Sequence, residues 1–121
     1  MQVIATRGYQ RAVARLLSPE ARAAAEAEIA ARPEAWPVIQ GTGGARKARI
    51  ALLGRGKRGG ARVIYFVLTA AGVLFLFDIY AKNAKEDLSG ADKQDLREAI
   101  AEIRAAAATD RAWPAPRGGR A

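Results

Sequence analysis

The sequence predicts an α+β fold in which a small, mainly antiparallel sheet carries two helices before it and one after it, in the order β-α-α-β-β-β-α. Two adjacent runs of β-branched and aromatic residues, 62–68 and 73–80, predict a pair of strands. An alanine-rich run over 19–31 predicts a helix, because alanine has the highest helix propensity. A chain of 121 residues, half of them hydrophobic, is typical of one globular domain with a modest core.

The first elements are a short strand over 2–5 and a helix over 7–17 with Thr6 as its cap. Arginines recur at positions 7, 11 and 15 of this helix, at a spacing that puts them in one stripe. Such a stripe is typical of a solvated helix face. Ser18 and Pro19 then have the form of a cap and a first helical residue, so a second helix begins there and runs over 19–31.

Proline and glycine divide the middle of the chain. Residues 36–45 predict a loop, 46–53 a strand, and 54–61 a flexible basic loop rich in glycine. The strands at 62–68 and 73–80 follow, joined by a hairpin turn over 69–72. Both strands are apolar on both faces, which predicts that they are central in the sheet.

The last helix is predicted to begin after Ser89, which forms a capping box with Asp92, and to continue to about residue 107. The remaining residues are rich in proline and glycine, which is typical of a mobile end. We therefore expect a domain over 1–107 and a flexible tail over 108–121. The apolar run over 63–77 is shorter than the ~20 residues of a membrane-spanning helix, and residues 1–13 lack the apolar centre of a signal peptide.

Two residue types are missing from the sequence. It contains no cysteine, which excludes disulfides, thiolate catalysis and cysteine-ligated metals. It contains no histidine either, which excludes a serine–histidine–aspartate triad and a histidine general base. Any catalytic chemistry therefore depends on tyrosine, lysine, arginine and the carboxylates.

The charge is strongly positive and concentrated. Twenty basic and twelve acidic residues give a net charge of +8, which favours a polyanionic partner. Residues 35–77 contain no acidic residue, and the basic residues of that window all lie within 46–62: Arg46, Lys47, Arg49, Arg55, Lys57, Arg58 and Arg62. Like charges at this density favour contact with phosphates, although a solvated loop is the plain alternative.

Strand periodicity sorts these side chains between the two faces of the sheet. Lys47 and Arg49 share one face of their strand and Arg46 points to the other, while Tyr65 has the opposite parity to Arg62. A second polar group follows the last strand and consists of Tyr80, Lys82, Asn83 and Lys85. This group is either a solvated connector or the rim of a cleft at the end of the sheet.

Three stretches carry a resemblance to a known family. They are Gly41-Thr-Gly-Gly-x-Arg46-Lys47-x-Arg49, then Gly54-x-Gly-Lys57-Arg58-Gly-Gly-x-Arg62-Val-Ile-Tyr65, then Tyr80-x-Lys82-x-x-Lys85-x-Asp-Leu-Ser89. Together with the element order, over about residues 1–104, they resemble the RelE/ParE superfamily of bacterial toxins, and the HigB-like RelE branch most of all.

The resemblance implies the toxin of a type II toxin–antitoxin system, which enters the ribosomal A site and cuts the mRNA there. It implies a cognate antitoxin, often a helix-turn-helix protein. The toxin would then associate with operator DNA only through this antitoxin. It further implies a cytoplasmic protein without a membrane partner. RNA cleavage by the substrate's own 2′-hydroxyl needs neither a metal nor another cofactor.

Roles for individual residues follow from this resemblance and from their chemistry. We expect Arg46 and Arg62 to clamp the phosphate, because guanidinium groups aim cationic donors at phosphate oxygens. Tyr80 and Lys82 are candidates for proton transfer or base stacking, and Tyr65 is a second candidate base or a core residue. Neighbouring cations are expected to lower the pKa of the base. The residues expected to bind RNA are Lys47, Arg49, Arg55, Lys57, Arg58 and Lys85.

Some alternatives stay open at this point. RelE toxins often have a functional tyrosine near the C-terminal end of the domain, but the last helix here has no aromatic residue, so the base is undecided between Tyr80 and Tyr65. A ParE-type toxin that inhibits DNA gyrase without catalysis, or an inactive regulatory nucleic-acid-binding module, are the other functions. Trp36 is expected to pack beside Pro37, and Trp113 is a candidate partner contact. The arginine stripe could be a second ribosomal RNA contact.

Overall fold

The computed structural model describes residues 1–52, 56–84 and 87–109, with the backbone alone for residues 56–59. The described elements, in chain order, are β1 (Gln2–Ala5), α1 (Arg7–Leu16), α2 (Pro19–Ala31), β2 (Arg46–Leu52), β3 (Gly56–Leu68), a single 3-10 turn (Thr69–Ala71), β4 (Val73–Ala81) and α3 (Gly90–Thr109). The predicted fold class and element order are confirmed.

One four-stranded sheet has the strand order β1-β4-β3-β2. β1 pairs in parallel with β4, while β2 with β3 and β3 with β4 are antiparallel. β3 and β4 are therefore the central strands, as their two apolar faces predict. Gly72 closes the turn between them with a φ of 68°, a left-handed conformation that glycine adopts without steric cost.

The start of β3 differs from the prediction. Residues 54–61 were expected to form a flexible loop, but the strand begins at Gly56, where it pairs with Leu52. The backbone of this segment is also bonded on its other side, since Lys82 N–H donates to the Gly60 carbonyl at 3.0 Å. The pairing of Gly56 with β2 and the bond from Lys82 to Gly60 hold this backbone extended in spite of the low strand propensity of glycine, because propensity is a weak guide where neighbouring strands fix the backbone.

Helix capping follows the sequence closely. The hydroxyls of Thr6 and Ser18 accept hydrogen bonds from Tyr9 and Ala21 N–H, at 3.0 and 3.1 Å. At α3, Ser89 and Asp92 form the reciprocal capping box, with both bonds at 3.0 Å. The helix continues to Thr109, two residues beyond the expected end at 107, and residues 110–121, including Trp113, lie outside the described residues.

Two cores lie on opposite faces of the sheet. The first is covered by α1 and α2, where Tyr9, Val13 and Ile29 pack on alternate residues of β2, β3 and β4. The second is covered by α3, where Leu96 and Ile100 pack on the other set of alternate residues. Each side chain of the sheet is thus assigned to the α1–α2 face or to the α3 face, and this assignment sorts the predicted site residues.

The Gly-Thr-Gly-Gly block before β2 has a structural role. Gly41, Gly43 and Gly44 all have positive φ, and the buried Thr42 hydroxyl donates to the Ile39 carbonyl at 2.7 Å and accepts from Ala45 N–H at 2.9 Å. Arg104 of α3 donates to the Gly43 carbonyl at 3.0 Å. The block is therefore a tight loop that ties α3 to the sheet.

Candidate functional site

Three of the predicted site residues form one row across the sheet. Arg49 of β2 lies opposite Arg62 of β3, and Arg62 lies opposite Tyr80 of β4. Lys47 belongs to the next row on the same side, opposite Ile64. Because Ile64 and Tyr80 belong to the core under α3, all these side chains lie on the α3 face.

Arg62 is the central residue of this row. Only 9% of it is exposed, and among the described residues its guanidinium donates one hydrogen bond, to the Ala61 carbonyl at 3.3 Å. Among the described residues, no carboxylate lies within ion-pair distance of Arg62. A nearly buried cation is costly unless an anion compensates it, so this position is suited to an anionic ligand.

A small cavity opens beside the row. It has a volume of about 120 Å³ and is lined by Lys47, Arg49 and Arg62 together with Trp36 and Pro37. Three cationic side chains around one cavity could bind a phosphate at its mouth. Trp36 was expected only to pack; it does contact the first core, but it also borders this cavity. Its position before the glycine block was the only signal of this in the sequence.

Arg46 and Tyr65 lie on the other face of the sheet. They are cross-strand partners, and each donates to a carbonyl of the segment that precedes the glycine block. Arg46 bonds the Trp36 carbonyl at 2.5 Å, and the Tyr65 hydroxyl bonds the Pro33 carbonyl at 2.6 Å. The structure therefore does not bring these two residues together with Arg62 and Tyr80. They fix the segment that carries Trp36.

The predicted pKa shift of the tyrosines is wrong in sign. Burial raises the pKa of Tyr80, and the carboxylates Asp87, Asp78 and Asp92 raise it further against the lowering effect of Arg62. Burial likewise raises the pKa of Tyr65. The desolvation of a phenolate outweighs the nearby positive charge. Both tyrosines therefore keep their protons near neutral pH, which is the opposite of what a general base requires.

Carboxylates border the row on the side of α3. Asp87 lies 3.8 Å from the Lys47 ammonium, and 64% of its side chain is exposed. Its pKa is lowered, first by the hydrogen bond that it accepts from the Leu88 N–H and then by the positive charge of Lys47. Asp87 is therefore ionised near neutral pH and partly neutralises Lys47.

The remaining predicted residues lie at the ends of the strands. Lys82 is exposed directly after β4. The backbone of Lys57 and Arg58 belongs to β3, while their side chains, Arg55 and Lys85 lie outside what the structure describes. Within the described part of the chain, no helix has the length and apolarity to cross a membrane.

The row and its cavity lie in the part of the chain that matches a known family, apart from Trp36 and Pro37, which come just before it. A family model described as the RelE toxin of the RelE/RelB toxin–antitoxin system matches residues 38–112, which is more than half of the chain. The chain belongs to the RelE toxin family. It is accordingly the toxin of a type II toxin–antitoxin system, and its partner is a cognate antitoxin.

A solved structure shows a weaker similarity to this RelE-family toxin. It is the free state of an Escherichia coli RelE mutant in which two arginines are replaced by alanine. The two sequences are 22% identical, the match covers 70% of this chain and 86% of that chain, and the TM-score is 0.47. Assignment to the HigB-like branch within the family stays a prediction.

Proposed function

We propose that this RelE-family toxin is a ribosome-dependent endoribonuclease that cuts mRNA in the A site and so stops translation. The main support is Arg62, a nearly buried cation that has no carboxylate within ion-pair distance among the described residues. An RNA phosphate supplies the missing anion. Arg49 and Lys47, on the same face, add positive charge around it.

The reaction can proceed without the histidine and cysteine that the sequence lacks. The 2′-oxygen of the RNA attacks the adjacent phosphorus and loses its proton, while the bond from phosphorus to the 5′-oxygen breaks and that oxygen gains a proton. The products are a 2′,3′-cyclic phosphate and a 5′-hydroxyl. Negative charge grows on the phosphate oxygens in the transition state, and Arg62, with Arg49 and Lys47, stabilises it.

Proton transfer is the weaker part of the site. Tyr80 and Tyr65 hold their protons because burial raises the pKa of both hydroxyls. We therefore assign Tyr80 to orientation, as a neutral neighbour of Arg62, and leave Lys82 as the proposed proton-transfer group. Tyr80 is only 8% exposed, so Trp36 takes over the proposed stacking on a base. A weak proton-transfer group makes the toxin depend on the ribosome to align the 2′-hydroxyl.

The proposed biological setting follows the family. The antitoxin, of helix-turn-helix type, covers the basic face and carries the complex to operator DNA. The toxin acts in the cytoplasm, where mRNA is translated. Lys57, Arg58, Arg55 and Lys85 remain proposed contacts to the RNA backbone, and the division into a domain over 1–107 and a tail over 108–121 remains a proposal.

The test is inducible expression in bacteria, followed by primer extension on a known transcript. We expect cuts inside translated codons, and their loss when the start codon of that transcript is mutated. Arg62→Gln should lower cleavage by about 10²–10³-fold, the usual cost of removing one transition-state donor. Arg32→Gln removes an exposed arginine elsewhere and is the control. Growth arrest with DNA damage signalling and no cuts would instead indicate inhibition of gyrase.

A further inference from the structure

A second concentration of positive charge lies on α1, on the side of the sheet opposite Arg62. Arg7, Arg11 and Arg15 are all exposed, and their spacing puts them on one side of the helix. The other side of α1 is buried through Tyr9 and Val13. We call these three residues the arginine stripe; at 1.5 Å per residue it is about 12 Å long.

The arginine stripe opposes the stability of its own helix. Like charges four residues apart repel, and Arg7 stands in the first turn, where the helix dipole favours a carboxylate instead; of the three, Arg15 alone lies in the last turn, where the dipole favours a cation. α2 in the same chain has the stabilising arrangement, with Glu20 in its first turn and an Arg22–Glu26 ion pair at 2.7 Å. Within the described part of the chain, no carboxylate lies within ion-pair distance of the stripe.

The position of the stripe connects it with the rest of the basic surface. Arg15 lines a cavity of about 370 Å³ together with Ala51 and Leu52, at the end of β2. The chain leads from there into the basic segment 55–58. The α1–α2 side and the α3 side of the sheet thus each carry arginines, and Arg15 lies beside the end of the strand that carries Arg49.

We propose that the arginine stripe is a second RNA-binding surface, which binds the phosphate backbone of folded RNA while the Arg62 site holds the strand to be cut. Bound phosphates would neutralise the repulsion between the arginines of the stripe and interact favourably with the positive end of the α1 helix dipole. Anionic partners at two separate surfaces of the domain fit a cleft walled by RNA. The identification of that RNA as ribosomal rests on the proposed function, whereas the anion-binding property of the stripe does not.

The experiment measures binding rather than cleavage. Purified bacterial ribosomes are sedimented with the toxin at salt concentrations from about 50 to 200 mM, the range in which phosphate contacts weaken steeply. The triple variant Arg7→Gln, Arg11→Gln, Arg15→Gln should bind more than tenfold more weakly at the low end of this range. Its plot of log affinity against log salt should be flatter by about 2–3 in slope, because each lost phosphate contact removes about 0.7–0.9.

Three controls make the result specific to the stripe. The matching triple lysine variant keeps the charge and should keep the salt dependence. Two single variants, each of which removes one positive charge, are then compared. Arg11→Gln should flatten the salt-dependence slope by about 0.7–0.9. Arg32→Gln, at the exposed cap residue that follows α2, should flatten it less. Thermal melting checks that the triple variant is folded, which we expect because all three side chains are exposed.

Each outcome decides the proposal separately from the proposed function. An unchanged slope in the triple glutamine variant overturns the stripe as an RNA contact, whether or not the toxin cleaves mRNA. Weaker binding to the antitoxin with unchanged binding to ribosomes also overturns it, since the stripe would then serve an acidic protein. If the triple glutamine variant has a flatter salt-dependence slope but the wild-type toxin makes no cuts in mRNA, the stripe is supported as an RNA contact and the proposed endoribonuclease function is contradicted.

Discussion

Arg49 and Arg62 lie directly opposite one another on neighbouring strands, on the same face of the sheet. Like charges in such a pair destabilise a sheet, and here one of the two is nearly buried. The fold therefore holds two cations together at a cost to its own stability. A bound phosphate would convert this repulsion into binding energy, which is why the pair is at the centre of the proposed site.

Arg49→Gln is expected to separate stability from activity. Removing the repulsion should raise the free energy of unfolding by about 0.5 kcal/mol. The same change removes a phosphate contact, so mRNA cleavage should fall. Urea denaturation and primer extension measure the two effects, and loss of stability together with full cleavage would contradict this interpretation of the pair.

Tyr65→Phe should affect the fold more than the chemistry. It leaves the Pro33 carbonyl without the 2.6 Å hydrogen bond of the tyrosine, at a cost of about 1 kcal/mol in unfolding free energy. Cleavage should fall less than tenfold, through a looser Trp36 segment. If Tyr65→Phe instead abolished cleavage as completely as Arg62→Gln and left stability unchanged, Tyr65 would be a catalytic residue.

Asp87→Asn should strengthen binding to ribosomes. The carboxylate lies 3.8 Å from the Lys47 ammonium and is ionised because its pKa is lowered. Its removal frees Lys47 for a phosphate, but the carboxylate is mostly exposed, so the gain in affinity should stay below about tenfold. Sedimentation with ribosomes at low salt measures the gain; weaker binding would show that Asp87 holds Lys47 in its active position.

Alkaline pH should destabilise the toxin through its tyrosines. The pKa of Tyr9 is raised, first by burial and then by its hydrogen bond to Glu26 at 2.8 Å. The folded state therefore keeps a proton that the unfolded chain releases above pH ~10, so the stabilising effect is present below that pH and is lost as pH rises. Tyr65 and Tyr80 act in the same direction.

The comparison of wild type with Tyr9→Phe isolates one of these groups. Above pH ~10 the unfolding free energy of the wild type should fall more steeply, by about 1.4 kcal/mol per pH unit for the single proton. Urea denaturation at a series of pH values measures both slopes. Parallel curves would mean that Tyr9 titrates equally in the folded and unfolded states.

Gly44→Ala should damage the glycine loop. Gly44 has a φ of +131°, and an added Cβ would lie 2.9 Å from the Arg104 guanidinium and 3.2 Å from the Phe66 ring. We expect a loss of about 1–3 kcal/mol of unfolding free energy, measured by denaturation. Gly90→Ala is the matched control, since its Cβ would meet nothing within 4 Å; an equal effect of both variants would contradict the role of the loop.

Local signals in the sequence predicted the elements well. The caps at Thr6 and Ser18 and the box at Ser89 each depend on residues within four positions of one another, and all are confirmed. The early start of β3 at Gly56 was missed because it depends on pairing with β2 and on a bond from Lys82, which follows β4. Strand propensity describes a residue, whereas pairing depends on partners far away in the chain.

The site was predicted as a set of residue types rather than as an arrangement. Periodicity alone separated Arg46 from Arg49, and Tyr65 from Arg62, but it could not join strands to each other. Only the register between strands shows that Arg49, Arg62 and Tyr80 share a row. The direction of the tyrosine pKa shifts could not be predicted either. The number of nearby charged residues can be estimated from a sequence, but the burial that raises these pKa values depends on the fold.

The parallel pairing of β1 with β4 sets an order of events during synthesis. The first strand of the chain has its hydrogen-bonded partner at residues 73–76, so it waits until most of the domain has been translated. The same late strand supplies Tyr80 opposite Arg62. Contacts between such distant segments form slowly. The row of Arg49, Arg62 and Tyr80 is therefore complete only after β4 has been synthesised, so the proposed cutting face is among the later parts of the domain to form.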